Sequence, residues 1–262
     1  MSKKAKIINS VCWIIGLIVV WEIVSFILCQ TLGQEAGEKR LTSFHKIIQL
    51  FMTDWQDLLV QAGVTLSRAG LGFLFGAGIG YILAILMSLS KIIEKISMPY
   101  LLIAQMIPIL GLAPIVFSLV KDLNISRVVI AAYMTFFSVS VNTLSGLKSV
   151  DNDMKVLMYS YAAKKTALYA KLMIPFSLPY LFSGLKIAAP SAVTASILVD
   201  TLAIQDGIGQ KIVYTLYGGG TAGVFWPAVI LGALLGVFAF LLITLLEYIV
   251  IPWQRERNGG TE

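Results

Sequence analysis

The sequence predicts an all-α membrane protein with six transmembrane helices. Two observations support this: hydrophobic residues make up 58% of the 262 positions and charged residues only 13%, and the charges fall between long apolar runs. A soluble domain carries roughly a quarter charged residues to cover its surface. The composition therefore argues against a soluble protein. The only two cysteines, Cys12 and Cys29, lie in one apolar run, which excludes a disulfide scaffold.

Each predicted span is an apolar run of about 20 residues, enough to cross roughly 30 Å of hydrocarbon. In chain order the runs cover residues 11–29, 63–89, 99–120, 127–147, 184–203 and 225–251. Three lysines precede the first run, but no small-residue cleavage site follows it. We therefore interpret the first span as a retained anchor and not as a signal peptide. It belongs to an N-terminal unit, residues 1–60, whose second part is an extracytoplasmic amphipathic segment.

The lysine and arginine residues predict the orientation. With a cytoplasmic N-terminus, about twice as many of them fall in the inner segments as in the outer ones, and the positive-inside rule favours that arrangement. Arg127 counts here as an outer flanking residue. Both termini are predicted to be cytoplasmic, and the net charge of +6 reflects cytoplasmic loops and not a nucleic-acid surface.

Glycines recur every four residues in two spans. Gly72, Gly76 and Gly80 do so in the second, and Gly232 and Gly236 in the sixth. Small residues at this spacing let two helix backbones approach closely. The triple in particular predicts that the second span lies inside the bundle.

The segment 148–183 is the only inner loop long enough to fold on its own. Nothing breaks a helix between Asp153 and Leu172, and Pro175 and Pro179 are predicted to end that helix. A short, partly apolar helix with lysines at the membrane surface suits two roles. It is either a lipid-facing amphipathic helix or a docking knob for a soluble partner.

This loop resembles the cytoplasmic EAA loop of permease subunits of bacterial ATP-binding cassette (ABC) importers. The branch it resembles takes up sulfonates, taurine, nitrate, bicarbonate and thiamine precursors. The residues that match the pattern are Pro175, Pro179 and the triplet Gly184-Leu185-Lys186. Val156 replaces the usual Glu, and Ala162 the usual Gly.

The resemblance extends over nearly the whole chain. "TLSRAGLGFLFGAGIGYILAILMSLS" (65–90) is similar to the family's second span, "IPILGLAPIVF" (107–117) to its third, "VDTLAIQDGIG" (199–209) to the end of its fifth, and "LLEYIVIPW" (245–253) to its closing segment. Asp200 stands where the family usually has Glu. Order and spacing together make the resemblance specific.

The resemblance implies a type I ABC importer (MetI-like) transmembrane domain at 61–252, a coupling loop at 148–183 and a cytoplasmic tail at 253–262. It implies a permease that translocates a small polar or anionic organic solute in the bacterial cell membrane. The implied partners are an extracytoplasmic solute-binding protein, two ABC ATPase subunits, a second permease copy and membrane lipid. ATP and Mg²⁺ would bind to the ATPase subunits and no cofactor to this chain, which has no G-x-x-x-x-G-K-[ST] phosphate cradle.

Two groups of residues are predicted to act in transport. The implied ATPase-coupling residues are Tyr159, Ser160, Tyr161, Ala162, Ala163, Lys164 and Lys165. Polar groups and prolines inside spans mark packing or a substrate path, and the candidates are Gln105, Pro108, Asn142, Asp200 and Thr201. For Asp200 a path or gating role and a structural hydrogen bond are both open, as is a structural role for Gln105 and Asn142.

Two other classes of function compete with an ABC permease. An ion-driven secondary transporter would show an internal repeat and ionisable residues at the midplane, and the sequence has neither a repeat nor a paired acidic site. A non-transporting membrane scaffold would use the long loop only as an interaction surface. His45 is the sole histidine, so no catalytic or metal-ligating set is predicted, and His45 itself is expected to be solvated.

Overall fold

The computed structural model describes residues 3–33, 37–38, 40–203, 205–217 and 223–253, and helices dominate throughout. The helices are α1 (Lys3–Leu32), α2 (Phe44–Thr53), α3 (Trp55–Leu89), α4 (Lys91–Met106), α5 (Ile109–Val120), α6 (Leu123–Lys148), α7 (Asn152–Ser160), α8 (Lys165–Leu168), α9 (Ile174–Ala203), α10 (Ile208–Leu216) and α11 (Phe225–Val250). One π-helical turn, Tyr169–Met173, joins α8 to α9.

Five stretches within the described residues are single helical segments long and apolar enough to cross a membrane. The number is six when the bent pair of α4 and α5 is counted as one span. The third span predicted over residues 99–120 is this bent pair, and the kink that Pro108 permits is here a complete break between two helices. The two helices meet at 103° around Ile107 and Pro108, both of which have extended backbone angles. Proline lacks an amide proton and disfavours helical geometry at the preceding residue, which explains the break.

The centre of the fold is the contact of α3 with α6, on whose other side α9 packs. A methyl group on Gly76 would lie 2.4 Å from the carbonyl oxygen of Ala132, and one on Gly72 would lie 2.6 Å from that of Val128. Only hydrogen fits between backbones this close. The predicted glycine stripe and the interior position of the second span are confirmed.

The glycines of α11 do not form a comparable contact. A methyl group on Gly232 would first meet the side chain of Ile197 at 3.2 Å, and one on Gly236 that of Pro190 at 3.9 Å. The backbones of α11 and α9 stay apart at these positions. The prediction of a close backbone approach therefore fails for the sixth span.

The inner loop differs from its prediction in two ways. The helix expected from Asp153 to Leu172 ends at Ser160, and a non-helical turn separates α7 from α8. Pro175 and Pro179 do not terminate a helix, because α9 runs through both. The π turn ends at Met173, two residues before Pro175, so the hydrogen-bond ladder is wider just before the position where proline supplies no donor.

Helix α1 lies at the periphery, and most of those of its side chains that the structure describes are exposed. The Trp21 indole donates a hydrogen bond to the Thr42 carbonyl (3.0 Å) and packs edge-on against Trp226, with ring centroids 4.7 Å apart. Glu22, which the sequence leaves without a role, pairs with His45 at 3.1 Å. The His45 side chain is 71% exposed, as predicted.

Candidate functional site

A buried carboxylate joins three helices at one end of the bundle, which we call the Asp200 end. Asp200, near the end of α9, is 0% exposed. Its Oδ2 accepts a hydrogen bond from the Thr65 hydroxyl of α3 (2.6 Å), and its Oδ1 lies 3.0 Å from Nε of Arg127 in α6. The same Thr65 oxygen accepts from the Ile208 amide (2.9 Å), so the start of α10 is tied to this point as well.

A second carboxylate completes the network. Both terminal guanidinium nitrogens of Arg68, Nη1 and Nη2, donate to the Asp206 carboxylate, at 2.9 and 2.7 Å. Nη2 of Arg127 lies 2.9 Å from Oδ1 of the same residue. The paired hydrogen bonds from Arg68 hold the pKa of Asp206 below its ordinary value. Gln61 accepts from the Gly207 amide at 2.7 Å and fixes the turn that carries Asp206.

The position of Arg127 corrects the sequence-based topology count. It is not a solvated flanking residue but is 0% exposed. A buried guanidinium is tolerated only when charges and hydrogen bonds compensate its lost hydration. Asp200 and Asp206 supply the charges, and the Asn124 side chain and the Asp206 carbonyl accept hydrogen bonds from its terminal nitrogens at 3.2 and 3.3 Å. Thr65 and Arg68 were not predicted as members of this network. The signal in the sequence for Arg68 is a charge inside a predicted span.

Thr201 does not join this network. Its hydroxyl donates to the Leu198 carbonyl of its own helix at 2.6 Å, and the residue is half-buried. Of the two adjacent path candidates, only Asp200 makes a side-chain hydrogen bond or ion pair with other helices. Asp200 makes the structural hydrogen bond that the sequence left open, and its predicted path or gating role remains a prediction.

A pocket of about 300 Å³ opens where the third span breaks. The lining residues that carry its chemistry are Gln105 from α4, Tyr133, Phe136, Phe137 and Ser138 from α6, and Ser191 from α9. Pro108 forms the break beside it. Asn142 donates to the Ser138 carbonyl at 2.7 Å, one helical turn further along α6.

The predicted coupling residues lie together at the opposite end, which we call the Lys148 end. Tyr159 and Tyr161 are 52% and 79% exposed. Ala162 has a φ of +55°, in the left-handed region that favours glycine. This is the position where the resembled loop pattern has Gly, so the backbone keeps the turn although the residue differs.

This exposed turn is anchored to the ends of the central helices. Met158 of α7, Leu168 of α8 and Met173 of the π turn pack in one apolar cluster with Leu147 at the end of α6. The Tyr169 hydroxyl lies 3.1 Å from that of Ser88 near the end of α3. A displacement of the turn would therefore act directly on α3, α6 and α9.

Comparison with known proteins identifies relatives of this architecture. Residues 76–250 match the family described as binding-protein-dependent transport system inner membrane component. The chain is 30% identical to the formylaminopyrimidine transport permease protein ThiX of Halalkalibacterium halodurans, over 98% of this chain and 100% of that protein. It is 24% identical to a nitrate import permease protein of Synechococcus elongatus, over 90% and 87% of the two chains.

Two further comparisons agree. A putative aliphatic sulfonates transport permease protein of Bacillus subtilis is 26% identical over 78% of this chain and 73% of its own length. The crystal structure of an amino acid ABC transporter with histidines has a TM-score of 0.60 at 17% identity, and covers 77% of this chain and 98% of its own. That likeness shows the fold.

The matches confirm the resemblance inferred from the sequence and favour a permease over a secondary transporter or a scaffold. The chain belongs to the family of inner membrane components of binding-protein-dependent transport systems, and it is a permease subunit of an ABC importer.

Proposed function

We propose that this permease imports a small polar or anionic organic solute delivered by an extracytoplasmic binding protein, and that two ABC ATPase subunits drive it from the Lys148 end. The observation that carries the proposal is the exposed turn 159–165, which is anchored to the central helices. The solute class is supported by the relatives, which are named for formylaminopyrimidine, aliphatic sulfonates and nitrate.

The coupling residues are Tyr159, Ser160, Tyr161, Ala162, Ala163, Lys164 and Lys165. They continue a helix whose outer face is apolar, with Val156 and Leu157 64% and 57% exposed. An exposed apolar face beside lysines suits a groove on a soluble partner. ATP and Mg²⁺ are held by that partner, and closure of its nucleotide sites moves the turn.

The orientation follows from charge. Lys155, Lys164, Lys165 and Lys171 all lie at the Lys148 end, which the positive-inside rule assigns to the cytoplasm. Both termini then face the cytoplasm of the bacterial cell. The Asp200 end faces outward, where the binding protein releases its solute.

The solute path is proposed to run past the broken third span. Gln105, Pro108 and Asn142 border it, and Asp200 with Thr201 stands at its outer end, where the ionic network gates entry. One chain of six spans is small for enclosing a path, so a second copy of the permease is proposed to form its other wall. The bent pair offers an exposed apolar surface for that copy, with Met106 79% and Leu119 77% exposed.

Co-purification tests the coupling. We expect the ATPase subunit encoded with this permease to co-purify with the detergent-solubilised wild-type chain. It should not co-purify with Ala162→Trp, because the bulky ring prevents the turn from fitting into the groove of the ATPase. Gln56→Trp is the matched control, since Gln56 is exposed at the start of α3, at the other end. Equal recovery of the ATPase with both variants would refute the docking role.

A further inference from the structure

The size and the lining residues of the pocket at the broken third span indicate which kind of solute it can bind. It lies between the end of α4, the start of α5, the middle of α6 and α9, and its volume of about 300 Å³ is at the lower end for small-molecule sites. Such a site has room for one small molecule. Its walls can therefore be compared with candidate solutes.

Three aromatic rings shape the pocket. Tyr133, Phe136 and Phe137 come from two adjacent turns of α6, and the rings of Tyr133 and Phe136 are 6.0 Å apart with 50° between their planes. The Tyr133 hydroxyl donates to the Ala104 carbonyl at the end of α4, which fixes that ring in place. Fixed aromatic faces favour stacking with a flat ring.

The polar groups of the pocket are uncharged, and two of them lack partners. Within the described part of the chain, the Gln105 side-chain amide and the Ser138 hydroxyl make no hydrogen bond, and both residues line the pocket. A carboxamide presents a donor and an acceptor side by side. That pair matches the edge of a ring that carries a nitrogen acceptor next to an amino donor, as glutamine matches the edge of adenine.

No charged side chain is found among the described residues that line the pocket. The nearest cation along α6, Arg127, precedes Tyr133 by about 9 Å of helix rise and is already paired with two carboxylates. A sulfonate or nitrate ion here would lose hydration without gaining a positive partner, which is costly. An uncharged molecule loses far less.

We propose that this pocket is a resting site for the solute during passage, and that the solute is an uncharged, amino-substituted nitrogen heteroaromatic ring. The faces of the ring stack on Phe137 and Tyr133, and its polar edge forms hydrogen bonds with Gln105 and Ser138. This inference rests on the proposed importer function and narrows its solute class from polar or anionic to neutral and planar.

The test uses the complete permease–ATPase complex in lipid nanodiscs, with 4-aminopyrimidine and ethanesulfonate as probes and saturation-transfer NMR as the measure of binding. We expect a signal from 4-aminopyrimidine and none from ethanesulfonate. Gln105→Leu and Phe137→Leu should weaken that binding about tenfold, the loss of one hydrogen bond or one stacking partner. Phe75→Leu is the control, since Phe75 is 62% exposed on α3 and lines no part of the pocket.

The outcomes separate this inference from the importer proposal. Three results from a complex that hydrolyses ATP would overturn the neutral-ring inference alone. The first is binding of ethanesulfonate that depends on Gln105, and the second is binding of neither probe. The third is equal binding of 4-aminopyrimidine by the pocket variants and the control variant. A chain with which no ATPase assembles overturns the importer proposal instead. Gln105 is exposed, so its substitution leaves the helix packing intact.

Discussion

Arg127 and Asp200 form an ion pair with 3.0 Å between Nε and Oδ1, and both side chains are fully buried. The pair links α6 to α9, and Thr65 extends it to α3. The three central helices, α3, α6 and α9, are thus linked at the Asp200 end through one carboxylate. An alternating-access movement that separates these helices must break this tie.

Replacement of Asp200 by Asn should destabilise the protein strongly. The variant leaves Arg127 buried with one carboxylate fewer, and loss of one partner of a buried pair costs about 3 kcal/mol or more. Thermal unfolding in detergent measures the change. Asp57→Asn is the control, because its pair with Lys211 is 49% exposed on the carboxylate side and should contribute about 1 kcal/mol or less. Similar losses in both variants would contradict the central role of Asp200.

The glycine stripe of α3 gives a second prediction. Gly76→Ala should cost about 1–3 kcal/mol, since its methyl group would overlap the Ala132 carbonyl and force α3 from α6. Gly78 has open space around its Cα, so Gly78→Ala should be neutral or slightly stabilising in the same helix. Melting temperatures compare the two, and an unchanged value for Gly76→Ala would show that the helices are not so closely packed.

The turn at Ala162 predicts a gain of stability. With φ at +55°, alanine sits in a region that glycine occupies without strain, so Ala162→Gly should stabilise the turn by up to about 1 kcal/mol and keep ATPase association. Ala163→Gly is the neighbouring control and should destabilise or have no effect, because Ala163 has no positive φ to relieve. A loss of stability in Ala162→Gly would argue against the left-handed conformation.

The Arg68–Asp206 pair predicts a dependence on pH. Because the pKa of Asp206 is lower in the folded protein than in the unfolded chain, its contribution to stability is complete at neutral pH and is lost as the pH falls through the folded pKa. Melting temperature followed from about pH 6 down to pH 3 should fall less in Asp206→Asn than in the wild type. If the melting temperature falls equally with pH in both proteins, the proposed contribution of Asp206 to stability is refuted.

Much of the fold follows from periodicity and apolar run length. The six spans and the glycine contact of α3 were predictable because a bilayer demands about 20 apolar residues per helix and close backbones demand small ones. The break at Pro108 was only partly predictable, since proline marks a kink but not its angle. The position of Pro175 inside α9 was not, because neither apolar periodicity nor proline position identifies the π turn that precedes it.

The candidate site divides in the same way. Asp200 could be identified as an intramembrane acid from the sequence, but its partners Thr65 and Arg127 lie 135 and 73 positions away in the chain, and the choice of partner is made by packing. The pocket at Gln105 could not be foreseen either. Its lining residues belong to separate helices whose relative positions are set by the bend.

The most direct test of coupling through the turn 159–165 measures ATP hydrolysis by the complete complex in nanodiscs. For the wild-type permease and for Gln56→Trp we expect hydrolysis that responds to the solute-loaded binding protein. For Ala162→Trp we expect that response to fall at least about tenfold, because the turn no longer seats in the ATPase. A response that is the same in all three proteins would contradict coupling through this turn.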